Sequence, residues 1–116
     1  MSISRSKKNP RLDRAALERL AAVFRAFGDA TRLGLLQELK AGPRSVNELQ
    51  AALGTSQANV SRQLKVLHAA ALLSRERRGA QVIYAIDEPL VMDLCNAACR
   101  KLNREAGPAR LPAFGA

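Results

Sequence analysis

Amide, hydroxyl and guanidinium side chains are concentrated between residues 56 and 65 of the sequence. The amides of Gln57, Asn59 and Gln63 can both donate and accept hydrogen bonds at the edge of a base. Arg62 can chelate a guanine edge or a phosphate, and serine hydroxyls can reach phosphate. The residues that this chemistry assigns to nucleic-acid contact are Ser56, Gln57, Ala58, Asn59, Ser61, Arg62, Gln63 and Lys65.

Helical periodicity divides this stretch into two faces. At about 100° per residue it has one narrow apolar arc, which we expect to pack against a core. That arc comprises Val60, Leu64, Leu67 and Ala71. The opposite face is small and polar near its N-terminal end, and a helix with such a face can enter the major groove of a duplex.

A second basic group follows in a segment with strand periodicity. Leu73–Arg78 and Gln81–Ile86 have strand character, and Gly79-Ala80 between them supplies a tight hairpin turn. One face of the second strand would carry Val82, Tyr84 and Ile86. The residues expected at the hairpin tip, where they would touch DNA backbone or the adjacent minor groove, are Arg75, Arg77, Arg78 and Gln81. The alternative is that these are ordinary solvated charges.

Cys95 and Cys99 are the two cysteines of the chain, and their spacing places both sulfurs on one face of a helix. The pair could share a soft ion such as arsenite, zinc, cadmium or copper(I). It could instead act as a thiol switch. A buried cysteine is also often only a small hydrophobe, so a purely structural role stays open.

The net charge of +9 points towards a polyanionic partner. Residues 56–81 contain five basic residues and one acid, so much of this charge lies on the two elements just described. With no Trp, one Tyr and three Phe, stacking platforms for single strands are scarce, which favours double-stranded DNA. The single His, without a nucleophile elbow or a Gly-rich phosphate loop, leaves no catalytic site to assemble. No signal peptide or membrane-spanning pattern is found, and we expect a cytoplasmic protein without a membrane partner.

Capping residues and hydrophobic periodicity predict the elements that position these side chains. Asp29, Ser45 with Glu48, and Ser56 are expected to cap helices, and Glu88 is expected to cap a last helix that begins at Pro89. The predicted helices are Asp13–Phe27, Thr31–Lys40, Val46–Leu53, Gln57–Ala70 and Pro89–Glu105. The fold class is mainly α with a small β-hairpin, in the order α-α-α-α-β-β-α of a winged helix-turn-helix. Residues 1–11 would form a basic flexible arm, 12–105 the domain, and 106–116 a flexible tail.

Four motifs carry a resemblance to a known family. They are Phe27-Gly-Asp-Ala-Thr-Arg-Leu33, Ser45-Val-Asn-Glu-Leu49, Ser56-Gln-Ala-Asn-Val-Ser-Arg-Gln-Leu-Lys-Val-Leu67 and Arg78-Gly-Ala-Gln-Val-Ile-Tyr84. Together they resemble the ArsR/SmtB family of transcriptional repressors over roughly residues 15–103. The resemblance implies a homodimer, joined through its first and last helices, that binds an imperfect palindrome and leaves it when an effector is sensed. The interface residues on those helices would be Leu17, Leu20, Phe24, Val91, Leu94, Cys95, Ala98 and Leu102.

The chain also departs from this family's pattern. Metal-sensing members often have Cys-Val-Cys where this chain has Ser45-Val46-Asn47, and the carboxylate and imidazole ligands of the last helix are missing, so neither site can operate here. Gly34 occupies a mid-helix position, at a cost of about 1 kcal/mol relative to Ala. Ala71 replaces a frequent Gly, so its helix end should be built differently, and Gln63 stands where His is frequent.

The sequence therefore predicts a homodimeric, sequence-specific DNA-binding repressor, released by a metal or metalloid ion or by thiol oxidation at Cys95 and Cys99. The alternative is a constitutive DNA-binding or architectural protein with no inducer, in which both cysteines are structural.

Overall fold

The computed structural model describes residues 10–107 and 110–114. The elements are α1 (Arg14–Phe27), α2 (Ala30–Leu39), β1 (Arg44–Ser45), α3 (Val46–Leu53), α4 (Gln57–Ala69), β2 (Leu73–Arg78), β3 (Gln81–Ile86) and α5 (Leu90–Ala106). The predicted winged helix-turn-helix order is confirmed, with the short strand β1 as an addition. Most of the predicted basic arm falls on residues 1–9, outside the described ranges.

Side-chain caps start the helices where the sequence indicates. The Asp29 carboxylate accepts the backbone N–H of Arg32 at 3.1 Å, and α2 begins at Ala30, one residue earlier than predicted. Ser45 and Glu48 form the predicted capping box, with reciprocal hydrogen bonds of 3.1 and 2.8 Å. The Ser45 backbone N–H, and then its hydroxyl, hold the pKa of Glu48 below its usual value.

The sheet has three antiparallel strands in the order β1-β3-β2. The hairpin register pairs Arg75 with Tyr84 and Arg78 with Gln81, and both predicted strand ranges are confirmed. Strand β1 adds to the other edge of β3, where Arg44 pairs with Tyr84. Strand β1 was not predicted, because a strand of two residues is too short to show an alternating pattern.

The core lies between α2, α3, α4, α5 and the sheet. Its fully buried side chains are Leu35, Leu36, Leu49, Val60, Leu64, Leu67 and Val91. A Cβ added at Gly34 would lie 3.1 Å from Cδ2 of Leu53, so this glycine allows α2 and α3 to approach closely. This close approach explains why position 34 has glycine, although glycine weakens an isolated helix.

The end of α4 corrects two expectations. Ala71 was predicted to share the buried arc, but α4 ends at Ala69 and Ala71 is exposed. It adopts φ +62°, so it uses the left-handed conformation that Gly would supply, rather than a different kind of helix end. Hydrogen bonds from the N–H of Ala71 to His68 O and from that of Leu72 to Leu67 O complete this turn.

The last helix differs slightly from its prediction at the N-terminus. Pro89 is its N-cap and Leu90 its first residue, although the Glu88 carboxylate still accepts the Leu90 N–H at 3.0 Å. After α5, Leu111 exchanges two hydrogen bonds with the Asn103 amide, so this part of the tail lies against the helix. No helix in the described ranges is long and apolar enough to cross a membrane.

Candidate nucleic-acid interface

Helix α4 is oriented by the turn that precedes it and by its buried side. Gly54 adopts φ +71° at the end of α3, a conformation that strongly favours glycine. The Ser56 hydroxyl then accepts the N–H of Asn59 at 3.1 Å and caps α4. Because Val60 and Leu64 are fully buried, the opposite side of the helix is directed outward.

One row of side chains on α4 faces the hairpin. Gln57, Ser61 and Lys65 follow one another at four-residue intervals, so they share a helix face. Ser61 lines a cleft of about 490 Å³ together with Lys65, Arg75 and Arg77. A second cleft, of about 230 Å³, is bounded by Gln57 and Ser61 with the start of α3 and the hairpin tip; its other lining residues are Ser45, Val46, Asn47, Ala80, Gln81 and Val82. The structure therefore brings three of the predicted α4 residues and three of the predicted hairpin residues into one surface; they are Gln57, Ser61, Lys65, Arg75, Arg77 and Gln81.

A second row on α4 faces away from the hairpin and is hydrogen-bonded. The side-chain oxygen of Asn59, Oδ1, accepts from Arg62 Nη2 at 2.7 Å and from Gln63 Nε2 at 3.3 Å. The Asn59 amide nitrogen donates to the Thr55 hydroxyl at 3.2 Å. Gln63 is half-buried, and its side-chain oxygen, Oε1, accepts from Arg32 Nη1 at 2.8 Å. Arg62 itself is exposed, so this row presents one cation outward.

The hairpin contributes an accessible set of basic side chains. Arg75, Arg77, Arg78 and Gln81 are all exposed. Arg78 Nη2 lies 3.3 Å from a Glu76 carboxylate oxygen, and an exposed pair of this kind adds little stability. Alternation along β2 directs Arg75 and Arg77 to one side, that of the cleft shared with α4.

Three polar residues at this surface were not predicted from the sequence. Arg32 and Thr55 bond to the α4 side chains, and Asn47 lines the smaller cleft. Asn47 lies in the first turn of the helix that the capping box begins, so its position near the hairpin could have been inferred from the capping box. Arg32 had none, because its contact is 31 positions away in the chain.

Cys95 and Cys99 line a different kind of surface, an apolar cleft of about 400 Å³ between α2, α5 and the tail. Cys95 is 6% exposed and Cys99 is half-buried. Burial, and then the neighbouring Cys99, raise the pKa of the Cys95 thiol. The remaining lining residues are Phe27, Leu33, Gly34, Gln37, Leu94, Ala98, Leu102, Leu111 and Phe114. Within the described ranges, no three or more His, Cys, Asp or Glu side chains form a group that could hold a metal ion.

Of the two helices expected to form the dimer interface, α1 carries an exposed apolar stripe. Leu17, Leu20 and Phe24 are 47%, 44% and 54% exposed, although their spacing gives them a common face. On α5, Leu102 is exposed, whereas Val91 and Cys95 lie in the chain's own core. Among the described residues, α1 therefore exposes three large apolar side chains, and α5 exposes two, Leu90 and Leu102.

Known proteins are similar to this chain in sequence. A family model described as a helix-turn-helix domain matches residues 27–76. The transcriptional regulator NmtR of Mycobacterium tuberculosis (strain ATCC 25618 / H37Rv) is 32% identical over 94 residues, which cover 81% of this chain and 78% of NmtR. The chain belongs to the ArsR/SmtB family. The resemblance predicted from the four motifs is confirmed.

Solved structures of similar regulators agree with this ArsR/SmtB assignment. The antimony-specific transcriptional repressor AntR superposes with a TM-score of 0.72 at 26% identity, over 85% of this chain and 92% of AntR. The homodimeric winged helix-turn-helix DNA-binding domain of Mb0332 from Mycobacterium bovis, a possible ArsR-family regulator, gives a TM-score of 0.70 at 26% identity, over 83% and 94%. The predicted winged helix-turn-helix fold is therefore confirmed.

Proposed function

We propose that this chain is a transcriptional repressor that binds an inverted repeat in double-stranded DNA as a homodimer. The observation that carries the proposal is the surface on which Ser61 and Lys65 of α4 share a cleft with Arg75 and Arg77 of the hairpin. A helix and a basic hairpin side by side can occupy a major groove and the backbone next to it. Membership of a family of transcriptional regulators supports the same conclusion.

The side chains divide into two kinds of contact. Gln57, Ala58 and Arg62 are exposed on α4 and are assigned to base edges. Lys65 and the hairpin arginines are assigned to phosphate, which contributes affinity and orientation but little sequence information. The free N–H groups at the start of α4 add a fixed partial positive charge for a phosphate.

Dimerisation follows from the exposed stripe on α1. Leu17, Leu20 and Phe24 would lose contact with water if a second copy packed against them, and apolar burial is the main driving force for such association. The homodimeric state of the Mb0332 domain supports this arrangement. Two-fold symmetry then requires an operator with two-fold symmetry.

Selection from a randomised duplex pool tests the proposal. We expect the wild-type protein to enrich an inverted repeat whose half-site centres lie about one helical turn, or a multiple of it, apart. Sedimentation of the complex should show two chains per duplex. Enrichment of no sequence, or of a single unrepeated half-site bound by one chain, would contradict the proposed function.

We further propose that a thiophilic effector acting on Cys95 and Cys99 releases the DNA. Both residues line the same apolar cleft, and thiolates prefer soft ions. The antimony specificity of AntR, a structural neighbour, supports an ion of this class. One specific observation favours the alternative of a constitutive repressor with structural cysteines: Cys95 is buried like an ordinary core residue.

Replacing both cysteines by alanine distinguishes these two functions. Alanine is preferred to serine because a hydroxyl buried at position 95 would need a partner. If the thiols sense the effector, antimonite or cadmium should weaken DNA binding by the wild type about 5- to 150-fold, the usual range of allosteric coupling, and leave the variant unaffected. Fluorescence anisotropy of the selected duplex measures this. An equal response of the two proteins would exclude a role of the thiols in sensing these ions.

A further inference from the structure

One side chain, Arg32 at the start of α2, connects two other helices. Its guanidinium donates from Nε to the carbonyl of Ala26 at 2.8 Å and from Nη2 to the carbonyl of Arg25 at 2.7 Å. Its third nitrogen, Nη1, donates to Oε1 of Gln63 at 2.8 Å. Arg32 therefore joins the C-terminal turn of α1 to the middle of α4.

The chemistry of both ends suits an arginine. The last carbonyls of a helix lack i+4 partners and lie at the negative end of its dipole, so a cation there is favourable. The Arg25 carbonyl also accepts the Gly28 N–H at 3.1 Å, which leaves its second lone pair for Arg32. Only a planar fork with several fixed N–H groups can bond to Arg25, Ala26 and Gln63 at the same time. A lysine keeps the charge but has a compact ammonium that cannot reproduce this geometry.

The link continues from Gln63 to the exposed part of α4. Arg32 uses the oxygen of the Gln63 amide, and its nitrogen donates to Asn59 Oδ1 at 3.3 Å. The same Asn59 oxygen accepts from Arg62 at 2.7 Å. A continuous series of hydrogen bonds thus runs from the end of α1 to the outward guanidinium of Arg62.

Both polar atoms of the Gln63 amide are thus used within the chain. The amide keeps one lone pair and one N–H, but the side chain is half-buried and its orientation is set by Arg32 and Asn59. Its position is better suited to holding Asn59 and Arg62 than to contacting DNA itself. This is a different role from the base contact that the sequence suggested for Gln63.

We propose that Arg32 and Gln63 are positioning residues for DNA recognition, which hold α4 against α1 and orient Asn59 and Arg62 without touching the duplex. The inference rests on the proposed function. Since α1 carries the expected dimer face, the same link sets how α4 is held relative to the two-fold axis. Disturbing it should weaken binding to the symmetric operator selectively.

The test compares Arg32→Met, Arg32→Lys, Gln63→Met and the double Met variant on two duplexes, the one selected by wild type and a scrambled version. We expect each single variant to lose about tenfold in affinity for the selected duplex, the size of one charge-assisted hydrogen bond. The double variant should lose no more than the single ones, because all break the same link. Affinity for the scrambled duplex and the salt dependence should not change, since no phosphate contact is lost.

Arg44→Met is the matched control. The Arg44 guanidinium also donates to a helix-terminal carbonyl, that of Glu38 at 3.2 Å, and no hydrogen bond joins it to α4 among the described residues. We expect its affinity to stay within about twofold of the wild type. If Arg32→Met fails to fold, as judged by circular dichroism, Gln63→Met breaks the same bond from the other side and carries the test.

Four results would overturn the inference while leaving the proposed function intact. They are a salt slope reduced by about one, additive losses in the double variant, wild-type affinity of Arg32→Lys, and an equal loss in Arg44→Met. The first two would mean direct DNA contact by Arg32 or Gln63. If the wild type selects no duplex at all, the proposed function fails, and the inference fails with it.

Discussion

Phe24→Glu is expected to convert the protein into a monomer and to lower its affinity for the inverted repeat by a factor of about 100 or more. Phe24 is 54% exposed in the single chain, so the substitution should leave the fold of that chain intact. In a dimer the same position would be buried, where an unpaired carboxylate is strongly unfavourable. Losing one of two linked half-sites removes the gain from bivalent binding, which is typically 10²–10⁴-fold.

Analytical ultracentrifugation and a gel-shift titration measure the two effects. Ala22→Glu is the matched control, because it introduces the same charge on an exposed position of α1 on the side away from the stripe of Leu17, Leu20 and Phe24. This control should remain dimeric. A dimeric Phe24→Glu protein with unchanged operator affinity would show that α1 does not form the interface.

Arg62→Ala is expected to have the second largest effect, a loss of about 5- to 150-fold in affinity for the selected duplex. A bidentate contact from arginine to a guanine edge discriminates by about 1–3 kcal/mol. Because Arg62 is exposed and already bonded to Asn59, it is both accessible and oriented before DNA arrives. The loss should be much smaller on a scrambled duplex, since most non-specific affinity comes from phosphate contacts.

Arg77→Ala provides the comparison for Arg62→Ala. If Arg77 contacts phosphate, its removal should weaken binding to both duplexes and reduce the salt slope by about one for each lost contact. Equal behaviour of the two variants would contradict the division of the surface into base-reading helix and backbone-binding hairpin. Arg62→Ala binding as tightly as the wild type would contradict the assignment of α4 as the recognition helix.

Much of the fold was predictable because its signals are local. The Asp29 cap, the capping box of Ser45 with Glu48, and the Ser56 cap each involve groups three residues apart, and all three form as expected. The buried residues Val60 and Leu64 follow from helical periodicity alone. Charge along residues 56–81 likewise indicated the helix and hairpin that the structure brings together.

Expectations failed where geometry beyond one turn decides the outcome. Ala71 was placed on the buried arc by extending the helical period, but the helix ends two residues earlier and the chain turns through a left-handed residue. Strand β1 forms because β3 has a free edge beside Arg44, which no feature of the two residues themselves reveals. In both cases the packing of neighbouring elements overrides the local pattern.

The sequence by itself determined to within one residue where the helices begin, that Val60, Leu64 and Leu67 are buried, and which segments carry positive charge, since each of these depends on neighbours within about four positions. Only the tertiary structure decided that the α1 stripe stays exposed and that both cysteines line an apolar cleft. It also decided that Gln63 is held by Arg32. Contacts between distant residues depend on how whole elements pack, and the pattern of a single segment does not identify the residues that it will contact.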